Sequence, residues 1–248
     1  ECPCPAPMKD RIAPATTDPV RTAIEIALGL RDEAAVVTEP FSQWVIEDRF
    51  AGPRPAWNRV GAELVADVAP YENAKLRMLN GAHSALAYLG LGRGYTYVHE
   101  AIADPDLRTL IASLMLDEAA PTLTPAPGQD LTAYSGALLE RFANPALHHR
   151  LTQIAMDGSQ KIPQRWLATL ADNRRQGRQC PALLTAVSAW LDHLCGQNGQ
   201  VDDPRAEELT RLADRSGRSA LGEALFGPAG LFADHWTITA SDAKRLGS

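Results

Sequence analysis

The chain has 248 residues, of which 45% are hydrophobic and 22% are charged. This length and composition are typical of a folded globular protein with a large core. The formal net charge of −6 argues against a nucleic-acid partner, because phosphate binding requires a basic face. No apolar run reaches the roughly 18–20 residues of a membrane helix, so we expect no membrane partner and a cytoplasmic location.

The first quarter of the chain mixes several patterns. A helix is predicted over residues 19–30, where an Asp-Pro pair supplies the N-cap and the first helical residue. Residues 35–39 have the pattern of a short strand, whereas residues 41–50 fit no single element. Residues 56–66 are predicted to form a modest amphipathic helix.

The rest of the chain has a helical hydrophobic pattern. A long apolar helix ends near Gly92, and a loop is predicted at residues 121–129, which contain three prolines and one glycine. Further helices are predicted to begin at capping residues or prolines, namely Asp104, Asp130, Asn144, Asp157, Pro181 and Asp203, and a final helix covers residues 217–226. Because no strands alternate with these helices, the sequence predicts an all-α, multi-helical fold.

Several local patterns resemble known motifs but lack the required spacing. Residues 90–94, GLGRG, lack the GxGxxG spacing of a nucleotide loop and end a helix. His99-Glu100 begins like a zinc-protease motif, but Ala103 occupies the position of the second histidine. Residues 148–150, HHR, are predicted to lie on a solvated helix face. The four cysteines, among them Cys2 and Cys4, form neither a zinc knuckle nor a disulfide framework, so no metal site is predicted.

Residues 75–90, KLRMLNGAHSALAYLG, place three polar side chains in an otherwise apolar helix. At about 100° per residue, Lys75, Asn80 and His83 fall within less than half of the helix circumference. Burial lets a lysine act as a base near neutral pH. Spacing alone leaves structural roles open, because Lys75 can reach solvent at the helix start, and Asn80 and His83 can be hydrogen-bonded core residues.

The same stretch resembles the K-x4-N-x2-H signature of the polyol-specific long-chain dehydrogenases, the family of mannitol 2-dehydrogenase and fructuronate reductase. Further blocks resemble the C-terminal domain of that family, in order, at residues 36–50, 52–57, 140–151 and 153–165. The resemblance implies an all-α domain over residues 10–248, similar to the C-terminal domain of 6-phosphogluconate dehydrogenases. Residues 1–9 are then an extension foreign to the family, and Met8 is a candidate native start.

The resemblance implies interconversion of a secondary alcohol and a ketone with NAD or NADP and without a metal. Lys75 would be the general acid/base, Asn80 would stabilise the developing alkoxide, and His83 would orient the substrate. Asp10 and Lys161 match two further family blocks, which implies substrate binding, although a cap role for Asp10 and a surface position for Lys161 remain open. Lys161 or Arg165 could supply the cation that a carboxylate substrate requires.

The resemblance predicts a polyol or sugar-acid substrate, as the pair mannitol and fructose or the pair mannonate and fructuronate. Residues 153–165 favour the second pair, because this block resembles the hexuronate-reducing branch. The chain has no glycine-rich pyrophosphate turn, so we expect the N-terminal Rossmann domain to be absent and activity to need a cofactor domain supplied in cis or in trans. Two alternatives remain, a catalytically silent polyol or sugar-acid binding module and a helical protein that self-associates through an exposed apolar face.

Overall fold

The computed structural model describes residues 5–247, so Cys2 and Cys4 lie outside the described residues. Helices dominate, but a three-stranded sheet lies in the N-terminal quarter of the chain. Its strands are β1 (Pro7–Asp10), β2 (Gln43–Glu47) and β3 (Ala62–Val65). Strand β2 is central, antiparallel to β1 and parallel to β3. The prediction of an all-α fold is therefore wrong.

The burial of residues alternates along β1, but the central strand β2 lacks the alternation by which strands are usually recognised. β2, with the sequence QWVIE, buries Val45 and Ile46 in succession instead of burying every second residue. β3 lies in residues 56–66, which are predicted to form a helix. There the short 3₁₀ turn Trp57–Val60 ends at Gly61, whose φ of 96° turns the chain into the strand. Residues 35–39, predicted as a strand, form none.

The α-helices of the described residues are twelve in number. They are α1 Asp18–Leu28, α2 Ala69–Ala74, α3 Gly81–Gly92, α4 Val98–Ala103, α5 Pro105–Ser113, α6 Leu131–Phe142, α7 Leu151–Ala155, α8 Gly158–Ile162, α9 Ala168–Arg175, α10 Pro181–Leu194, α11 Ala206–Phe226 and α12 Ala240–Leu246. Helix α11 is kinked at Gly217, where φ is 67°, and this agrees with the predicted start of a helix at residue 217.

Three π-helical turns extend or join these helices. Lys75–Asn80 joins α2 to α3, Leu114–Ala119 extends α5, and Pro163–Leu167 joins α8 to α9. A π turn widens the helix and changes the direction of the side chains that follow it, and such turns are frequent at functional sites. Here the first and third turns contain Lys75, Asn80 and Arg165.

Some predicted helix starts are confirmed and one is wrong. Asp104 and Asp130 accept hydrogen bonds from the first backbone N–H groups of α5 and α6, as N-caps do. Asn144, by contrast, accepts from the N–H of Ala146 within a loop, and the next helix begins only at Leu151. The HHR motif therefore lies in this loop and not on a solvated helix face.

Helix α3 lies at the centre of the core. Every residue from Gly81 to Tyr88 is buried, and the helix packs against α7 and α10. Helix α8 begins close to α3 and α10. A Cβ atom at Gly158 would lie 2.6 Å from Tyr88 Oη on α3 and 2.8 Å from Trp190 Nε1 on α10. No side chain fits at Gly158, so α8 is held close to the one helix that carries His83.

Candidate active site

Lys75 is the first residue of the first π turn and is half-buried. Its Nζ donates a hydrogen bond to the backbone carbonyl of Lys9 in β1. The ammonium is therefore held against the sheet, at the edge where β1 meets the helices. This position combines partial burial with access from outside, which a residue that exchanges protons with a ligand requires.

Asn80 is the last residue of the same π turn, and its backbone carbonyl is contacted by Arg165 of the third π turn, Pro163–Leu167. Arg165 Nη1 donates to the carbonyl of Asn80 at 3.3 Å and to Ser84 Oγ at 2.7 Å. Within the described residues, no hydrogen bond engages the side-chain amide of Asn80. The amide is half-buried and therefore available to a ligand.

Arg165 is a half-buried cation that forms no hydrogen bond or ion pair with a carboxylate among residues 5–247, although the charge of Asp157 acts on it from a greater distance. Burial lowers the pKa of its guanidinium to about 10, so Arg165 is still charged at neutral pH. A cation in such surroundings has lost part of its hydration and gained only two neutral hydrogen bonds. This arrangement favours an anion as a ligand.

His83 lies one turn beyond Asn80, and its side chain faces the core. It stacks on Phe142 with ring centroids 4.9 Å apart and meets the ring of His149 edge-on, also at 4.9 Å. Burial holds the pKa of His83 well below its ordinary value, and the charges of His149, Arg165, Arg141 and Lys161 lower it further. His83 is therefore neutral at physiological pH, with one N–H donor and one acceptor nitrogen.

Lys161 lies on α8, partly exposed, and donates to the carbonyl of Met156 at 2.6 Å. Its Nζ is also 3.4 Å from the carboxylate of Asp157. Asp157 is the one residue other than glycine with a positive φ, 57°, in the described residues. This left-handed conformation, which aspartate adopts more readily than most residues, sets the direction in which α8 and Lys161 leave the preceding loop.

Asp10 has internal partners. Its carboxylate is 1% exposed and accepts from Arg141 at 2.8 and 3.1 Å and from Tyr134 Oη at 2.8 Å. Arg141 donates to Glu39 as well, at 2.7 and 2.9 Å, which closes a buried cluster of two carboxylates around one guanidinium. This cluster ties the end of β1 to α6, directly beside the carbonyl group that holds Lys75.

Two features of this region do not follow from the sequence. Glu39 and Arg141 are 102 residues apart, and no spacing rule connects them. His149 belongs to the HHR motif, which the sequence assigns to a solvated helix.

Other features of the molecule lie apart from these residues. A cleft of about 650 Å³ is lined by residues 122–127, by residues between 65 and 73 and by Arg77, and none of the six predicted site residues lines it. Among the described residues, no three His, Cys, Asp or Glu side chains are arranged to hold a metal ion. No helix in the described range is long and apolar enough to cross a bilayer.

The family implies a dinucleotide cofactor, and the described residues do not provide its usual phosphate site. No strand of the sheet is followed by a glycine-rich turn that opens a helix, because β1 leads into a loop before Thr17 and β3 leads into the helix start at Ala69. Phosphate contacts are therefore not assigned to residues of this chain.

Comparison with known proteins connects both parts of the chain to one family. The family model "Mannitol dehydrogenase C-terminal domain" matches residues 67–226, and the model "Mannitol dehydrogenase Rossmann domain" matches residues 3–59. The second match does not support our expectations that residues 1–9 are foreign to the family and that the cofactor domain is absent, since part of that domain is present.

Curated relatives and a solved structure agree with these matches. The chain is 44% identical to the D-mannonate oxidoreductase of Escherichia coli over 93% of this chain and 48% of the relative. It is 40% identical to the mannitol dehydrogenase DSF1 of Saccharomyces cerevisiae over 86% of this chain and 44% of the relative. The ternary complex of Pseudomonas fluorescens mannitol 2-dehydrogenase with NAD and D-mannitol superimposes with a TM-score of 0.84 at 35% identity, covering 98% of this chain and 50% of that one. The chain thus spans about half the length of the proteins it matches.

Proposed function

Because the chain belongs to the mannitol dehydrogenase family, we propose that it carries the substrate-binding and acid–base residues of an NAD(P)-dependent dehydrogenase. The reaction interconverts a secondary alcohol of a polyol or sugar acid and the corresponding ketone. The observation that carries the proposal is the grouping of Lys75, the unengaged amide of Asn80 and the neutral imidazole of His83 on one helical segment. NAD or NADP, held with the aid of further residues of the cofactor domain, supplies the hydride acceptor.

Lys75 takes the hydroxyl proton when the alcohol is oxidised and returns it when the ketone is reduced. Its hydrogen bond to the carbonyl of Lys9 fixes the amine nitrogen at the edge of the sheet and leaves its other positions for the substrate oxygen. A positioned base of this kind contributes on the order of 10²- to 10⁴-fold to a rate.

Asn80 and His83 hold the substrate while the proton moves. The amide N–H groups of Asn80 can donate to the substrate oxygen as negative charge develops on it, which stabilises the transition state more than the ground state. His83 is neutral and buried, so it binds a hydroxyl group without placing a further positive charge near the proton acceptor.

We further propose that the substrate pair is a sugar acid and its keto form, with mannonate and fructuronate as the first candidates. The unpaired cation Arg165 supports this choice, because a carboxylate would form charge-assisted hydrogen bonds with it. Like Arg165, Lys161 is a cation whose charge acts on His83, so it adds positive charge to this region. The name of the E. coli relative agrees with an acid substrate. Mannitol and fructose are the second candidate pair, since the superimposed Pseudomonas enzyme is a complex with D-mannitol.

The match of residues 3–59 to the Rossmann domain weighs against the alternative of a module without any cofactor domain. The exposed large hydrophobic side chains of the described residues support the same conclusion. They all lie between residues 26 and 60, and they are Ile26, Leu28, Leu30, Val36, Trp44 and Val60. We propose that further parts of the cofactor domain, joined to this chain or on a separate one, cover these side chains in preference to self-association.

Replacement of Lys75 by alanine tests the proposal. In the whole protein with a complete cofactor domain, Lys75→Ala should lower kcat by about 10²- to 10⁴-fold, because the proton acceptor is lost. Lys9→Ala is the matched control, since it removes a neighbouring exposed ammonium but keeps the carbonyl that holds Lys75. Primary amines added to the Lys75→Ala variant should restore part of the rate. A variant with unchanged kcat would exclude Lys75 as the base.

A further inference from the structure

A second imidazole lies beside His83 and has no role in the proposed reaction. His149, in the loop before α7, meets the ring of His83 edge-on, with an interplanar angle of 83°. Its backbone is held on both sides, because its N–H donates to the carbonyl of Leu147 at 2.7 Å and its carbonyl accepts from Val98 at 3.1 Å. These bonds fix the backbone of His149, and the edge-on contact with His83 gives the position of its ring.

Each of the two rings has a buried nitrogen without a hydrogen-bond partner in the described part of the chain, namely Nε2 of His83 and Nδ1 of His149. An unsatisfied buried polar group costs about 1–3 kcal/mol, so native proteins keep few of them. Two such atoms on rings in contact indicate a binding site for a polar group that the chain itself does not supply.

The charge state of the two rings limits the chemistry of that group. Burial lowers the pKa of His149 to about 4, and the pKa of His83 is also well below its ordinary value, so both rings are neutral at pH 7. Each neutral ring has one N–H donor and one acceptor nitrogen. A hydroxyl group can satisfy one nitrogen of each kind because it donates and accepts, whereas a carboxylate only accepts and an ammonium only donates.

We propose that His149 is a further substrate-binding residue, which together with His83 binds one hydroxyl group of the substrate. This inference rests on the proposed function and assigns to the imidazole pair a hydroxyl other than the reacting one. Three cations act on His83, namely Arg165, Arg141 and Lys161. A carboxylate would be drawn to the unpaired Arg165, which leaves the imidazole pair for a neutral group. The same cations oppose a metal ion, and the pair has no third ligand within the described residues.

Two substitutions distinguish the effect of the ring nitrogens of His149 on binding from the effect of its size. His149→Phe keeps an aromatic ring and removes both nitrogens, whereas His149→Asn keeps a polar atom near the position of Nδ1. His148→Phe is the matched control, because His148 is the exposed neighbour in the same loop. D-mannonate and D-mannitol are titrated calorimetrically into the whole protein with NAD(P)H bound. We expect His149→Phe to weaken binding about tenfold, the effect of one neutral hydrogen bond, and the other two variants to change it by less than about threefold.

Singly deoxygenated mannitols test whether the loss of binding affinity in His149→Phe comes from one hydroxyl group of the ligand. With one of these analogues, the unmodified protein and His149→Phe should bind equally well, because the partner group is missing. An equal loss with every analogue would indicate a packing defect and would overturn the inference. Binding by His149→Phe that equals that of the unmodified protein would also overturn it and would leave the proposed function intact. A protein that binds no polyol or sugar acid at all would contradict both.

A spectroscopic readout keeps the test independent of how the variants fold. In the unmodified protein with ¹³C-labelled histidine, D-mannonate should shift the ring resonances of His83 and His149 but leave those of His148 in place. A shift confined to His83 would assign the hydroxyl to that residue alone and would overturn the role of His149.

Discussion

At the scale of single residues, unmet hydrogen-bonding groups and the lack of an ion pair distinguish His83, His149 and Arg165 from Asp10. His83 and His149 each have a buried nitrogen without a partner, and Arg165 has no carboxylate partner within the described residues. Asp10, by contrast, is fully engaged by Arg141 and Tyr134. Its family resemblance implies substrate binding, and its geometry favours a positioning role, in which it fixes the strand that holds Lys75.

Arg165 provides the residue-scale prediction on substrate choice. Arg165→Met should lower kcat/KM for D-mannonate by about 10- to 100-fold more than for D-mannitol, because only the acid loses a charge-assisted hydrogen bond. Arg175→Met, an exposed arginine on α9, is the control and should affect both substrates equally little. The ratio of the two kcat/KM values is the measurement. An equal loss with both substrates would show that Arg165 has only a structural role at Asn80 and Ser84.

At the scale of elements, Glu118 links two helices. It lies in the π turn Leu114–Ala119, is 1% exposed, and accepts from the N–H groups of Ala182 and Leu183 at 2.7 and 2.8 Å. These are orphan donors of the first turn of α10, the helix that packs against α3. A side chain 64 residues away in sequence thus caps a helix whose own N-cap residue, Cys180, makes no side-chain cap.

Removal of this cap should destabilise the fold. Glu118→Ala leaves two buried N–H groups without partners and should lower the free energy of unfolding by at least about 2 kcal/mol. Glu118→Gln keeps an amide oxygen as an acceptor and should cost less, and Asp117→Ala, at the exposed neighbour, should stay within about 0.5 kcal/mol. Urea denaturation measures the free energy of unfolding of all three variants. Equal midpoints for Glu118→Ala and Asp117→Ala would show that the contact contributes nothing to stability.

The elements also show which parts of the fold the sequence alone predicts. Helices with a local start signal, such as those after Asp104 and Asp130, are predictable because the cap acts within one turn. Strand β2 is not predictable in this way, because its burial depends on residues that are distant in the chain. It pairs with β1, about 35 residues earlier. For the site, spacing predicts that Lys75, Asn80 and His83 share one helix face, but it does not predict the π turn Lys75–Asn80, which changes the direction of the side chains. The contact with His149 depends on the tertiary path of a loop, which no local pattern contains.

At the scale of the whole molecule, a buried ionic cluster joins the part matched by the Rossmann domain to the helical part. Asp10 and Glu39 lie within residues 3–59, whereas Arg141 lies on α6 within residues 67–226. Such clusters add little net stability, because their desolvation cost offsets their attraction, but they fix geometry. The cluster therefore ties β1, in which the Lys9 carbonyl accepts from Lys75, to α6, in which Phe142 stacks on His83.

The central claim is that this chain binds and deprotonates the hydroxyl group of a sugar acid or polyol in an NAD(P)-dependent dehydrogenase. The most direct measurement is the rate of NAD(P)H formation from D-mannonate and D-mannitol by the whole protein with a complete cofactor domain, in the unmodified form and as Lys75→Ala. We predict turnover of at least one of the two, with D-mannonate preferred, and loss of this turnover in Lys75→Ala. A folded protein that reduces neither cofactor with either substrate would contradict the account.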